Sequence, residues 1–124
     1  MTAMPVREES LKALFAAIDS MDSDAFVAFL TADAEFRFGS APAVAGREAI
    51  RAAVDGFFST IAALSHRVTA TFPGGGSLAC EGEVTYTRHD GRKVVLPFAD
   101  VFEFDGELIT NYKIYMDISP LYAD

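Results

Sequence analysis

At 124 residues the chain is long enough to bury a core without disulfides or metals and too short for two domains, so a single domain over 1–124 is expected. Eighteen acidic residues against ten basic ones give a formal charge of −8 with no basic stripe, which argues against nucleic acid and anionic membrane surfaces as partners. The chain is 51% hydrophobic with eleven Phe and no Trp, a richness that points to a lined cavity or covered sheet face and to a homodimer that hides the excess.

Leu11, Leu14, Phe15 and Ile18 recur at i, i+3, i+4 and i+7 and predict a first helix from about Val6 to Asp19. Turn and cap residues 20–24 interrupt it, and Phe26, Val27 and Leu30 predict a short second helix. Ala34 to Phe38 reads as a short strand closed by the loop Gly39-Ser40-Ala41-Pro42. From Gly46, the residues Ile50, Val54, Phe57, Phe58, Ile61 and Leu64 form one stripe and predict the longest helix. Beyond Ser65 the period becomes two. Val68, Ala70 and Phe72 alternate with polar residues, Pro73 to Ser77 makes a turn, and strands follow over Ala79–Arg88, Val94–Phe104 and Glu107–Asp117. Pro97 cannot donate to a ladder and marks a bulge or an edge. Helices first and a meander afterwards predict an α+β domain, with N-terminal helices packed on a curved, mainly antiparallel sheet around a cone-shaped pocket.

The strand Val94–Phe104 places Val94, Leu96, Phe98, Asp100, Phe102 and Phe104 on one face, so one carboxylate stands in an apolar row. Such a group finds donors, lines a wet cavity or becomes neutral with a raised pKa. Asp100 is therefore the leading candidate for chemistry; the other reading is a structural carboxylate accepting from a Tyr or Thr on a neighbouring strand. Tyr112 is the expected donor, sharing a face with Ile114 and Met116, and whether that face is Asp100's depends on turn register. Glu81 and Glu83 lie either on an outer face or at the wet end of the cavity. Val95, Val101, Val84 and Tyr86 are expected to leave the apolar surface through which two copies pair.

The lone Cys80 has no disulfide partner and no zinc spacing, which predicts no metal and a reducing, cytoplasmic compartment. Nothing near Met1 has the pattern of a signal peptide, and no apolar run approaches the roughly 20 residues that span a bilayer.

Gly46-Arg47-Glu48-Ala49-Ile50, Ser65-His66-Arg67-Val68, Asp100-Val101-Phe102-Glu103-Phe104-Asp105-Gly106 and Tyr115-Met116-Asp117, in this order, resemble the nuclear transport factor 2-like (cystatin-like) superfamily, and most of all its SnoaL-like polyketide cyclase branch. The resemblance implies a cofactor-independent cyclase or isomerase acting on an apolar carbonyl compound, with an acidic pocket residue that Asp100 supplies, or a non-catalytic dimeric binding module on the same fold. Asp100 also matches the ketosteroid isomerase pattern Asp-X-Phe-X-Phe-X-Gly, where the aspartate is a neutral acid in an oxyanion hole. Leu14 and Phe36 stand where those isomerases carry their tyrosine donor and general base, and Glu81, Glu83 and Ile114 replace the aspartate-arginine-aspartate set of limonene epoxide hydrolases. Both of those activities are therefore disfavoured. The candidate site comprises Asp100, Tyr112 and His66 for acid–base work. A small hydrophobic ligand is expected to be held by Phe36, Phe38, Phe57, Phe58, Phe98, Phe102, Ile114 and Met116. For His66 a structural, hydrogen-bonded role is the competing reading.

Overall fold

Leu11, Leu14 and Phe15 are buried and Ile18 partly so, which is the stripe their spacing puts on one side of α1 (Met4–Asp19). The computed structural model describes residues 4–123, and their side chains from residue 9 onward. A Schellman turn ends α1: the Asp22 N–H donates to the Ala17 carbonyl at 3.1 Å and the Met21 N–H to that of Ile18 at 2.8 Å, with Met21 left-handed at φ 58°. Asp22 then caps α2 (Ser23–Val27) by accepting the Ala25 N–H at 3.0 Å. Leu30 does not extend that helix. It opens β1 (Leu30–Phe38), longer than the strand expected from Ala34, and its carbonyl accepts the Arg47 guanidinium, with Nε at 2.8 Å.

Gly46 sits at φ 91°, a region open to glycine and costly for any other residue, and its carbonyl accepts the Ile50 N–H in the first turn of α3 (Arg47–Phe58). Ile50, Val54 and Phe58 are the buried row of this helix. The apolar stripe continues to Leu64, but the helix stops at Phe58. Ser59 and Thr60 turn their hydroxyls back onto the carbonyls of Gly56 and Phe57, at 2.6 and 2.7 Å. Ile61 and Leu64 remain buried, one in the connection and one in β3 (Ala63–Gly74).

β3 pairs antiparallel with β4 (Ser77–Thr87), β4 with β5 (Lys93–Asp105) and β5 with β6 (Leu108–Tyr115). β1 then joins β6 in parallel and is flanked by β2 (Val44–Ala45), giving the order β2-β1-β6-β5-β4-β3. The fold is α+β, as expected, with few helices on a mixed sheet that does not close on itself. The β4–β5 register runs unbroken through Glu83↔Pro97, and β6 reaches only to Ala99, so Pro97 lies where β5 has a single neighbour: an edge, not a bulge.

Bulges in β3 and β6 reset which side chains face inward, and the β1–β6 pairing also shifts register between Leu30 and Glu35. In β3, Val68 pairs with Gly82 and Ala70 with Glu81, so Thr69 is extra and Phe72 turns outward, 52% exposed. Gly82 faces this bulge; a Cβ there would come within 2.0 Å of the Arg67 carbonyl oxygen. In β6, Phe104 pairs with Ile109 and Glu103 with Asn111, leaving Thr110 extra. Val84 and Tyr86, expected on the outer face, point inward at 0% and 2% exposure, because the whole Cys80–Tyr86 row faces the helices. Glu81 and Glu83 are exposed on the other side, with Glu83 paired to Arg67 at 3.1 Å.

Candidate active site

The inward rows of β5 and β6 meet at Asp100, which pairs with Cys80 on one side and Ile114 on the other and is 1% exposed. Counting back from the Asp105↔Leu108 hairpin pair without a bulge would put Tyr112 opposite Val101, on the outer face. The extra Thr110 moves it opposite Phe102, onto the face of Asp100. The Tyr112 hydroxyl then donates to Asp100 Oδ2 at 3.2 Å, and Oδ1 is buried with no partner among the described residues. Burial pushes the Asp100 carboxyl up to about 8, with the Tyr112 hydrogen bond pulling it part of the way back. Burial first, and then the charge of Asp100, also raise Tyr112 well above an ordinary phenol. Cys80, beside Asp100, is a free thiol raised to about 12 mainly by burial.

Above Asp100 is a cavity of about 310 Å³ between the helices and the sheet. Phe36 and Phe38 from β1, Phe57 and Phe58 from α3, and Phe98 from β5 line it, as do Ile114 and Met116 at the end of β6. His66, Asp100 and Tyr112 reach the same space. Phe102 does not. It is fully buried behind Tyr112, with ring centroids 4.5 Å apart, and supports the wall from outside the cavity. Glu81 and Glu83, on the opposite face of the sheet, are likewise not part of the lining.

Sequence reasoning missed Tyr86, whose ring lies 5.7 Å from Phe57 and whose hydroxyl donates to Met116 Sδ at 3.7 Å; the period-two row through Cys80 and Val84 was the signal for it. It also missed Tyr122 in the C-terminal 3-10 turn (Ser119–Tyr122), which reaches Thr60 Oγ1 at 3.0 Å beside the cavity. Asp117 accepts the Ser119 N–H at 3.0 Å and so ends the strand region with a capped turn. His66 holds Asp19 through Nδ1 at 2.6 Å. His89 is exposed in its turn, with Nε2 3.0 Å from the Ser59 carbonyl. Among the described residues no group of three or more His, Cys, Asp or Glu is placed to hold a metal ion, and no helix is long and apolar enough to cross a membrane.

Solved structures share this architecture. A nuclear transport factor 2-like protein of unknown function from Burkholderia pseudomallei superposes with a TM-score of 0.85 at 16% identity, covering 98% of this chain and 95% of that one. A protein from Xanthomonas campestris named as a polyketide cyclase gives 0.83 at 20% identity over 93% of both chains. TerC, crystallised with polyporic acid, gives 0.82 at 14% identity over 94% and 95%. At these identities the likeness is one of fold. Among curated proteins none matches the chain. In sequence, residues 11–112 match the SnoaL-like domain, a span that runs from the first buried leucine of α1 to the tyrosine that contacts Asp100, and on that match the chain belongs to the SnoaL-like family.

Proposed function

We propose that this single SnoaL-like domain is a cofactor-independent enzyme of the cyclase or isomerase type, acting on an apolar ring compound that bears a carbonyl. One observation carries the reading: a buried Asp100 at the cavity wall, its pKa raised by burial, with Oδ2 engaged by Tyr112 and Oδ1 unpartnered among the described residues. With Oδ2 already accepting, the acid proton belongs on Oδ1, which is buried as it stands and meets a ligand oxygen once the carboxyl turns into the cavity it borders. A neutral acid so placed stabilises the negative charge that develops on a carbonyl oxygen during enolisation, and the aromatic wall excludes competing water. Phe36, Phe57 and Phe98 serve as the ring-contacting wall, in a cavity whose volume suits a ligand of about one to three rings. Structural neighbours named as a polyketide cyclase and as a polyporic acid complex support a ring-compound ligand. A cytoplasmic location belongs to the same proposal and is supported by the free, buried Cys80.

The test is exchange of the acidic carbon-bound protons of 2-tetralone in D2O, followed by proton NMR. Wild-type protein accelerates exchange over buffer, and Asp100→Asn loses about 100-fold or more of that acceleration. Full exchange by the variant removes Asp100 from the mechanism. A second reading, a dimeric binding module without catalysis, is favoured by one observation: Glu81 and Glu83 face away, so among the described residues Asp100 has no second carboxylate lining the cavity. Saturable 2-tetralone binding without exchange is the result that reading expects.

A further inference from the structure

Asp19 occupies the last position of α1, where the negative end of the helix dipole disfavours an acid. Both of its oxygens are spent on one residue across the layer. Oδ2 accepts the His66 backbone N–H at 3.0 Å and Oδ1 lies 2.6 Å from His66 Nδ1. Neither partner is loosely placed, since the Schellman turn fixes the helix end and the β3–β4 pair His66↔Val84 fixes the strand. A carboxylate only accepts, so the ring nitrogen facing it carries the hydrogen, and the neutral imidazole has its lone pair on Nε2. Nε2 has no partner among the described residues. The ring is held against Phe15 and Phe98, with centroids 4.7 and 5.3 Å away, and borders the cavity that Asp100 also borders. A mere tether between α1 and β3 would need the backbone N–H alone; the second bond orients the ring.

We propose that Asp19 is a positioning residue that locks His66 in the Nδ1–H form and presents Nε2 as the proton acceptor of the cavity, so that the site divides base and acid duties between His66 and Asp100 and takes ketones with an acidic C–H beside the carbonyl. The inference rests on the proposed enzymatic reading and names its missing base. In the step, the C–H bond next to the carbonyl breaks and its proton goes to the Nε2 lone pair. The C–H electron pair becomes the C=C bond of the enol, the carbonyl π pair moves onto oxygen, and that oxygen takes the hydrogen of Asp100 Oδ1. The imidazolium so formed keeps its Nδ1–H bond to Asp19. Transfer of the proton from Nε2 to a different carbon of a conjugated dienol, with the enol O–H handing its hydrogen back to Asp100, completes an isomerisation. Attack of the enol carbon on a second carbonyl of the same molecule closes a ring, the new alkoxide taking the proton from Nε2 while the enol O–H returns its own to Asp100.

Long-range proton–nitrogen NMR on the wild-type protein reads the tautomer directly, and the expected neutral form of His66 carries its hydrogen on Nδ1. In the 2-tetralone assay His66→Gln loses about 100-fold or more of the exchange rate. Asp19→Asn loses about 10-fold or more in kcat with KM little changed, and shifts the ring hydrogen toward Nε2. A wild-type ring with hydrogen on Nε2 overturns the proposal whatever the assay shows. Exchange that survives His66→Gln but not Asp100→Asn overturns it too, while leaving the acid role of Asp100 in place. No exchange by the wild type overturns this proposal and the enzymatic reading together. If Asp19→Asn does not fold, the wild-type tautomer and His66→Gln decide the matter.

Discussion

The ionised form of Asp100 is disfavoured because its neighbours offer one hydrogen bond and little else, and the sign of the consequence follows from linkage. With the folded carboxyl at about 8 against an unfolded value near 4, the folded protein keeps a proton that the unfolded chain has released across that window. This contribution to stability is full below the unfolded pKa, declines as pH rises through the window, and levels off above about 8, a change on the order of 5 kcal/mol. Asp100→Asn has no proton to lose, so its urea-melt stability should match wild type near pH 4 and exceed it by several kcal/mol near pH 8. Parallel curves for the two proteins would mean that the folded and unfolded pKa values of Asp100 coincide and that burial does not hold its proton. Tyr112→Phe removes the bond that holds the carboxyl down, and a carbon-detected NMR titration should show Asp100 moving further up. Cys80 at 1% exposure, with its thiol raised to about 12, should react with a disulfide reagent only as fast as the protein unfolds.

Two glycines set the geometry of whole elements, for different reasons. At Gly46 an added Cβ meets nothing within 4 Å, yet φ is 91°, so Gly46→Ala should cost about 1 to 3 kcal/mol through backbone strain alone. Gly82→Ala meets backbone rather than open space. The Arg67 carbonyl must move to admit the methyl group, and the β3 bulge with it, so a loss of about 3 kcal/mol or more is expected in the same melts. Equal, small losses at both sites would mean that the bulge is not held by close approach. In α3, Phe58 packs in the buried row and Phe57 faces the cavity. Phe58→Ala should therefore cost about 3 to 5 kcal/mol. Phe57→Ala should cost less and act mainly on ligand binding, which calorimetry with 2-tetralone would report.

On the outer face of the sheet Phe72, Val95 and Tyr115 are 52%, 54% and 56% exposed. The lateral row Phe72–Ala79–Val101–Lys113 and the next row Ala70–Glu81–Ala99–Tyr115 make that face apolar with a few charges of both signs. A second copy of the chain is the occupant we propose for it, since a two-fold pairing would cover the exposed rings of both copies at once. Light scattering at micromolar concentration should give the mass of a dimer, and Tyr115→Glu should shift it toward monomer without lowering the melting temperature. A monomeric wild type would remove the idea. Val84 and Tyr86 take no part, being core.

Periodicity was sufficient for the helix-then-meander order, for the inward row of β5 and for the isolation of Asp100 within it, because each depends only on neighbours a few positions apart along one strand or helix. The resemblance of short motifs to the SnoaL-like family reached the fold by the same local route: Gly46 is legible as a helix entry, and the aromatic positions of β1, α3 and β5 as a wall. What lay beyond the sequence were the places where two distant segments negotiate a position. An extra Thr110 in β6 decides that Tyr112 meets Asp100 rather than the outer face, and an extra Thr69 in β3 turns Phe72 outward. Leu30 leaves the second helix because a strand partner and the Arg47 guanidinium claim it. The helix acid Asp19 finds its histidine across a layer boundary, 47 residues along the chain. Side-chain phase within a strand is a property of the local backbone, whereas bulges, pairings and the contacts they create are settled by the free energy of the whole sheet, to which no short stretch of sequence has access.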